Sequence, residues 1–179
     1  MRVCVLLLAG AAGVLAWNLT VLHVNDIHAR IEETNKYSGA CKERDRRAGH
    51  CYGGLARLAR AVRDIQAAEP NTLWLNAGDF YQGTVWYTQF KWRVVSLFSN
   101  LLQFDAMTLG NHEFDDRIAG LVPFLANQSS PVVVTNLNMS RVPELQGLVR
   151  PSLLLEIAGK KVNIYLYGTN ISINTVRLA

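Results

Sequence analysis

Three short polar stretches of the sequence contain residues that could bind divalent metal ions. Asp26 and His28 stand two positions apart after an apolar run. Asp79 follows a glycine after a second apolar run, and Asn111 and His112 lie together in the stretch TLGNHEFDD. Carboxylate oxygens and imidazole nitrogens are common ligands of divalent metals, although Asp-x-His and Gly-Asp pairs alone are weak signals. The three stretches together predict a site for two divalent ions.

The order of these residues predicts a division of roles. In an extended segment Asp26 and His28 project to the same side. Asp79 arrives from another strand and is placed to bridge two ions, while Asn111 offers a neutral oxygen to the second ion. His112 then faces whatever the second ion holds.

The predicted elements bring these residues to one edge of a sheet. Strands alternate with loops and helices, which is typical of an α/β fold, and functional groups in such folds gather beyond the carboxyl ends of the strands. The predicted strands are 19–25, Thr72–Asn76, 106–109 and 132–135, followed by a hairpin of Leu153–Ile157 and 162–167. The predicted helices are 53–69, 94–102 and 118–126, the last with Asp116 as its N-cap.

Composition and charge narrow the class of protein. The chain has 179 residues, of which 50% are hydrophobic and 18% charged, so it can form a domain with a sizeable core. The net charge of +4 is mild, and much of the basic excess falls in the mixed-sign run KERDRR and on the polar face of helix 53–69. We therefore expect a solvated surface and no binding to nucleic acid. His23 is expected to be partly buried and His50 to lie on a surface loop.

The first residues resemble a secretory signal. Residues 1–16 combine a short positive end with an apolar run that is too short to span a membrane, so we expect cleavage after Ala16 and secretion or display at the extracellular cell surface. No later segment predicts a transmembrane span. Four N-x-S/T sequons are consistent with this location, at Asn18, Asn127, Asn138 and Asn170.

The cysteine count is consistent with an oxidising compartment. Cys4 lies in the expected signal, which leaves Cys41 and Cys51 as a predicted disulfide. Two free thiols are the alternative. A zinc site that also uses His50 would have too few ligands.

Three blocks of the sequence resemble a known family. LHVNDIHAR, NAGDFYQGTVWY and LGNHEFD are similar to the first three blocks of the calcineurin-like dimetal phosphoesterases. More narrowly, they resemble the ecto-5′-nucleotidases and secreted apyrases, including arthropod salivary and cell-surface members. The resemblance runs from about residue 19 to residue 167. It implies the N-terminal part of a four-layer sandwich of sheets and helices, here residues 17–179.

The resemblance also implies an activity and a role for each site residue. The implied activity is that of a secreted 5′-nucleotidase, which converts a nucleoside monophosphate to nucleoside and phosphate. The reaction uses water that is activated by two divalent ions, zinc or a similar metal. The implied roles are Asp26 and His28 for the first ion, Asp79 as the bridge, Asn111 for the second ion, His112 for the phosphate and Asp115 to orient His112.

The sequence departs from the family pattern after its third block. The family supplies two further histidine ligands downstream, whereas none of the four histidines here follows His112. The family's C-terminal nucleotide-binding domain is also missing, so we expect a truncated chain with an incomplete second metal site. The alternatives are an apyrase that acts on ATP and ADP, a secreted product without catalytic activity, and a purely structural product.

Overall fold

A computed structural model describes residues 17–140 and 142–168 of the chain. The expected signal segment 1–16 and the sequon at Asn170 lie outside the described residues. The strands are β1 (Thr20–Val24), β2 (Thr34–Asn35), β3 (Cys51–Tyr52), β4 (Thr72–Asn76), β5 (Ala106–Met107), β6 (Leu153–Ile157) and β7 (Lys160–Ile164). The α-helices are α1 (Glu43–Arg47), α2 (Leu55–Ala68), α3 (Val85–Phe90), α4 (Trp92–Leu102) and α5 (Arg117–Ala126). Single 3-10 turns lie at His112–Phe114 and Pro143–Leu145.

A parallel sheet in the order β1-β4-β5 forms the centre of the fold. Asn76, the last residue of β4, pairs with Val24 of β1 and with Met107 of β5. The three strands therefore end side by side, and the loops that follow them start from one edge of the sheet. The three polar stretches therefore start at this edge of the sheet, as the sequence predicts.

The two faces of β4 are covered by different layers. Leu73 and Leu75 point to one face and pack with Val162 and Ile164 of the β6–β7 hairpin. Trp74 points to the other face, into the larger core formed with the helices. The three side chains are at most 3% exposed, which explains why the centre of β4 is apolar on both faces. The described residues thus supply a helical layer, the parallel sheet and a hairpin layer, and the α/β prediction is confirmed.

Several predicted elements differ in detail from the structure. The segment predicted as strand 132–135 forms only isolated parallel bridges, Met107↔Val132 and Val133↔Arg150, because it divides its pairing between two neighbours. The helix α3 was not predicted, since its sequence VWYTQF is short and rich in residues of low helix propensity. His23 is exposed rather than partly buried, because alternate side chains of β1 point away from the larger core.

The helices α2 and α5 lie close to their predicted bounds. The helix α2 buries Leu55 and Val62 as its apolar period predicts, while Ile65 near its end remains 38% exposed. Asp116 occupies the N-cap position of α5, but its side chain makes no capping hydrogen bond. Its carboxylate instead accepts hydrogen bonds from the Tyr87 hydroxyl at 2.8 Å and the Lys91 ammonium at 3.2 Å. The predicted N-cap position is therefore confirmed, but the side chain does not cap the helix.

The irregular segment between β1 and α2 is held by covalent and ionic contacts. Cys41 and Cys51 form a disulfide, with their Cα atoms 5.8 Å apart. Glu33 accepts a hydrogen bond from Arg46 at 2.8 Å and another from Arg57 of α2 at 2.9 Å. These contacts attach the loop to α2 on the surface of the domain.

Candidate metal centre

The loop after β1 continues to pair with the loop after β4 beyond the ends of both strands. The backbone N–H groups of Asp26, His28 and Ala29 donate to the carbonyl groups of Gly78, Asp79 and Phe80, at 3.0, 3.1 and 2.8 Å. The two loops therefore form one continuous surface, and the predicted ligands of the first loop are placed relative to Asp79 by backbone hydrogen bonds.

Several predicted ligands occupy a backbone conformation that non-glycine residues rarely adopt. Asp26, His28 and Asp79 have φ angles of 53°, 49° and 56°. Each such residue costs on the order of 1–3 kcal/mol, and residues of this kind cluster at functional sites. The assumption of an extended segment at Asp26 and His28 is therefore wrong. Their side chains meet all the same, with His28 Nε2 3.4 Å from Asp26 Oδ1.

Two glycines allow the loops after β4 and β5 to approach each other. A Cβ atom on Gly78 would lie 2.4 Å from the Gly110 nitrogen, and a Cβ atom on Gly110 would lie 2.1 Å from Asp79 Oδ1. Both distances are shorter than real Cβ contacts allow. Neither position can carry a side chain without moving Asp79 or the loop that follows β5.

His28, Asp79 and His112 converge from three different strand ends. One ligand atom from each lies within 4.8 Å of the others. The two imidazole rings have their centroids 5.2 Å apart and are inclined at 74°. A carboxylate and two imidazoles form a donor set that suits a divalent transition-metal ion, so the residues fit the metal that the sequence predicts.

The second nitrogen of each imidazole is already hydrogen-bonded. His28 Nδ1 lies 3.1 Å from the Tyr81 carbonyl oxygen, which can only accept, so Nδ1 carries the proton and Nε2 is left as the ligand atom. His112 Nδ1 lies 2.7 Å from Asp115 Oδ2. The hydrogen bond to Asp115 raises the pKa of His112, an effect that desolvation opposes and that the charges of Asp79 and Glu113 reinforce.

The predicted ligands Asp26 and Asn111 lie at the margin of this group. Asp26 is half-exposed, with one carboxylate oxygen near His28 and the other accepting a hydrogen bond from the Asn25 amide. Asn111 is exposed and lines a cavity of about 270 Å³ together with Phe114 and Asn136. His112, predicted to face the phosphate, lies close enough to His28 and Asp79 to be a ligand as well.

Glu113 is a residue of this centre that the sequence analysis missed. It is 1% exposed, and its carboxylate accepts four backbone hydrogen bonds. Burial holds the pKa of Glu113 above its ordinary value, although the four N–H donors oppose this shift. We assign the ionised form, because both oxygens face donors and a carboxyl proton would find no acceptor there. Glu113 stands three positions after Gly110, which is the spacing at which the acidic residue of a capping box binds a backbone N–H. This spacing was the signal in the sequence that could have indicated its role.

A second group of potential ligands does not form a metal site. Glu33, Cys41 and Cys51 lie close together, but both sulfur atoms belong to the disulfide and neither is a thiolate. His50 is exposed in the same loop. The exclusion of a zinc site at this loop therefore stands.

Comparison with known proteins identifies the class to which this fold and site belong. The family model for calcineurin-like phosphoesterases matches residues 19–177. The chain belongs to the calcineurin-like phosphoesterase family.

Individual relatives and a solved structure match most of the length of this chain. An apyrase from Tabanus yao is 46% identical over 152 residues, which is 85% of this chain and 27% of that protein. A 5′-nucleotidase from Mus musculus is 45% identical over 156 residues, again 85% of this chain and 26% of that protein. The crystal structure of a 5′-nucleotidase precursor from Thermus thermophilus superposes with a TM-score of 0.73 at 34% identity, covering 84% of this chain and 28% of that one. The chain spans about a quarter of the length of the curated relatives it matches.

Proposed function

We propose that this chain forms the metal- and phosphate-binding part of a 5′-nucleotidase, a metal-dependent hydrolase that releases phosphate from a nucleoside monophosphate. The observation that carries the proposal is the convergence of His28, Asp79 and His112 from three strand ends, each within 4.8 Å of the others. The proposal is supported by the family and by the 5′-nucleotidases among its relatives.

The residues that would hold the metal are those that the family resemblance implies. Asp26 and His28 would hold one divalent ion, Asp79 would reach both ions, and Asn111 would hold the second. We propose zinc as the metal, because imidazole and carboxylate groups are both ligands that it commonly takes. A bound divalent ion supplies positive charge to phosphate oxygens and lowers the pKa of a water that it binds.

His112 and Asp115 form the proton-donating pair of the proposed site. The carboxylate of Asp115 holds the proton at His112 Nδ1 and raises the pKa of the ring, which favours the imidazolium form. The Nε2–H of that ring is then a donor for a phosphate oxygen or for the leaving oxygen. General acids placed in this way contribute about 10²–10⁴-fold to turnover.

An apyrase activity on ATP and ADP is the second candidate. It is supported by the apyrase from Tabanus yao, whose 46% identity is close to the 45% identity of the mouse 5′-nucleotidase. Both activities would use the same metal-binding residues, so substrate preference must be measured.

We also propose an extracellular location. The proposal is supported by the disulfide between Cys41 and Cys51, by the signal-like residues 1–16, and by a snake venom 5′-nucleotidase from Crotalus adamanteus at 43% identity. None of the described helices is long and apolar enough to cross a membrane.

Metal analysis and phosphate release test the proposal. The full chain is secreted from a eukaryotic host, dialysed against zinc and analysed for bound metal by mass spectrometry. We expect bound zinc in the wild type and in the control His50→Ala, and loss of zinc in His28→Ala. Absence of zinc from the wild type would overturn the proposal.

Substrate assays separate the candidate activities. Release of phosphate from AMP alone supports the 5′-nucleotidase, and release from ATP and ADP supports the apyrase. His112→Ala should reduce release about 10²–10⁴-fold. Bound zinc without release from any nucleotide would support the non-catalytic alternative.

A further inference from the structure

Glu113 binds three consecutive peptide groups of the loop after β4. Its Oε2 accepts from the N–H of Asp79 at 3.0 Å, and its Oε1 accepts from the N–H of Phe80 at 2.7 Å and of Tyr81 at 3.1 Å. Successive N–H groups that converge in this way form a nest, a backbone concavity that binds anions. In this protein the nest is filled by a carboxylate of the chain itself.

The carbonyl groups of the same three peptides face the loop after β1. The first of these peptide groups joins Gly78 to Asp79. Its N–H belongs to Asp79, and its carbonyl oxygen, which belongs to Gly78, accepts a hydrogen bond from the Asp26 N–H. The next two peptides accept in the same way from the N–H groups of His28 and Ala29. Each of the three peptides therefore donates to Glu113 on one side and accepts from the first loop on the other.

The fourth hydrogen bond connects Glu113 to its own loop. Glu113 Oε2 accepts from the Gly110 N–H at 2.6 Å, and Asp79 Oδ1 accepts from the His112 N–H at 3.0 Å. One buried carboxylate is therefore linked to all three loops that carry the candidate ligands. A charged acceptor strengthens its hydrogen bonds and polarises the peptides that donate to it.

We propose that Glu113 is a positioning residue, which sets the metal affinity of the site by holding the loop after β4 between the two other loops. It acts through Asp79, whose N–H it binds, and through the peptide carbonyls that place Asp26 and His28. This inference rests on the proposed metal centre. Residues that orient metal ligands typically change metal affinity about 10–100-fold when they are replaced.

Glu113→Gln is the direct test, because it keeps the size of the side chain and replaces one oxygen with an amide group that cannot accept. The probe is Co²⁺, whose visible absorption reports both affinity and ligand geometry. We expect Glu113→Gln to bind Co²⁺ about 10–100-fold more weakly than the wild type and with an altered spectrum. Wild-type affinity and an unchanged spectrum would overturn the proposal.

Asp105→Asn is the matched control for a general loss of stability. The carboxylate of Asp105 also accepts a backbone hydrogen bond, from the Trp74 N–H at 2.7 Å, but it immediately precedes β5, at the end of the strand opposite the metal loops. We expect this variant to lower the free energy of unfolding while leaving Co²⁺ affinity and spectrum unchanged. Equal weakening of Co²⁺ binding in both variants would overturn the positioning role.

Amide hydrogen exchange on the metal-free wild type decides the case where Glu113→Gln does not fold. The N–H groups of Asp79, Phe80, Tyr81 and Gly110 should exchange much more slowly than those of the exposed Cys-containing loop, because Glu113 holds them away from water. Exchange at the rate of that loop would overturn the proposal. A wild type that binds no Co²⁺ would instead contradict the proposed function, and slow exchange would then still support the link between the loops.

Discussion

His112 and Asp115 show how a single contact sets the behaviour of a residue. The 2.7 Å hydrogen bond between His112 Nδ1 and Asp115 Oδ2 fixes the orientation of the ring and is the largest cause of its raised pKa. Because Nδ1 is occupied by Asp115, Nε2 is the nitrogen left to interact with a ligand beside His28 and Asp79. The residue is suited either to bind an ion or to donate a proton.

Replacing Asp115 with Asn should lower the pKa of His112. The reason is that the substitution removes the carboxylate hydrogen bond that favours the imidazolium form. Titration of the His112 ring by NMR in the metal-free protein measures the change in pKa. The pKa of His112 is higher in the folded protein than in the unfolded chain, where it is about 6.5. The protonated ring therefore stabilises the fold fully below about pH 6.5, and this stabilisation is lost as the pH rises through the folded-state pKa. Asp115→Asn should therefore destabilise the protein at low pH and not at high pH.

Asp64→Asn is the control for this titration. Asp64 pairs with Arg60 on the exposed face of α2, so its replacement should leave the titration of His112 as in the wild type. An unchanged titration in Asp115→Asn would contradict the prediction.

At the scale of elements, the loops beyond the strands depend on close backbone packing. Gly110 lies against Asp79, and a Cβ atom there would be 2.6 Å from the Asp79 nitrogen as well as 2.1 Å from its carboxylate. The contact involves backbone atoms that Glu113 also holds. The two loops therefore cannot separate without breaking several hydrogen bonds.

Gly110→Ala should destabilise the protein and weaken metal binding together. Overpacking of a close contact costs about 1–3 kcal/mol in the free energy of unfolding, and the displaced Asp79 is a candidate ligand. Denaturant unfolding and zinc titration measure the two effects. Gly39→Ala is the control, since its added Cβ atom would meet the Asn35 side chain at an ordinary 3.4 Å. Wild-type behaviour of Gly110→Ala would show that the loops are not closely packed.

The disulfide is the second feature at this scale. It closes a loop between positions 10 residues apart, for which the chain-entropy model gives about 2–3 kcal/mol. The double variant Cys41→Ser with Cys51→Ser should lose this amount in denaturant unfolding. The difference from the wild type should vanish when reductant is present, and a difference that persists under reductant would contradict the assignment.

At the scale of the whole molecule, the parallel sheet is stable only when both of its faces are covered. The helices bury one face around Trp74, and the β6–β7 hairpin buries the other around Leu73 and Leu75. Val162 and Ile164 of β7 are at most 1% exposed against that second face. The hairpin is therefore part of the core, although it lies far from the metal loops in the sequence.

Ile164→Ala should lower the free energy of unfolding by about 2–5 kcal/mol, because it leaves a cavity between the hairpin and the sheet. Thermal or denaturant unfolding measures the loss. Leu154→Ala on the neighbouring strand is the control, since that side chain is 58% exposed and its replacement should change stability by less than about 0.5 kcal/mol. Equal effects of the two variants would show that the hairpin does not cover the sheet.

The sequence by itself determined the local features of this protein. The apolar run of β4, the period of α2 and the pairing of Cys41 with Cys51 are visible in it because each depends on residues near one another in the chain. The polar stretches after three strands were visible for the same reason, and the parallel order of the strands then placed them at one edge.

The tertiary structure alone decided how those stretches meet. The role of Glu113 depends on N–H groups 32 to 34 positions away in the sequence. The hydrogen bonds of the Asp116 carboxylate likewise come from Tyr87 and Lys91, in another part of the chain. The left-handed backbone at Asp26 and His28 is likewise set by pairing with the loop after β4. Local pattern carries no information about such contacts, because the partners of a buried polar group are chosen by the fold that surrounds it.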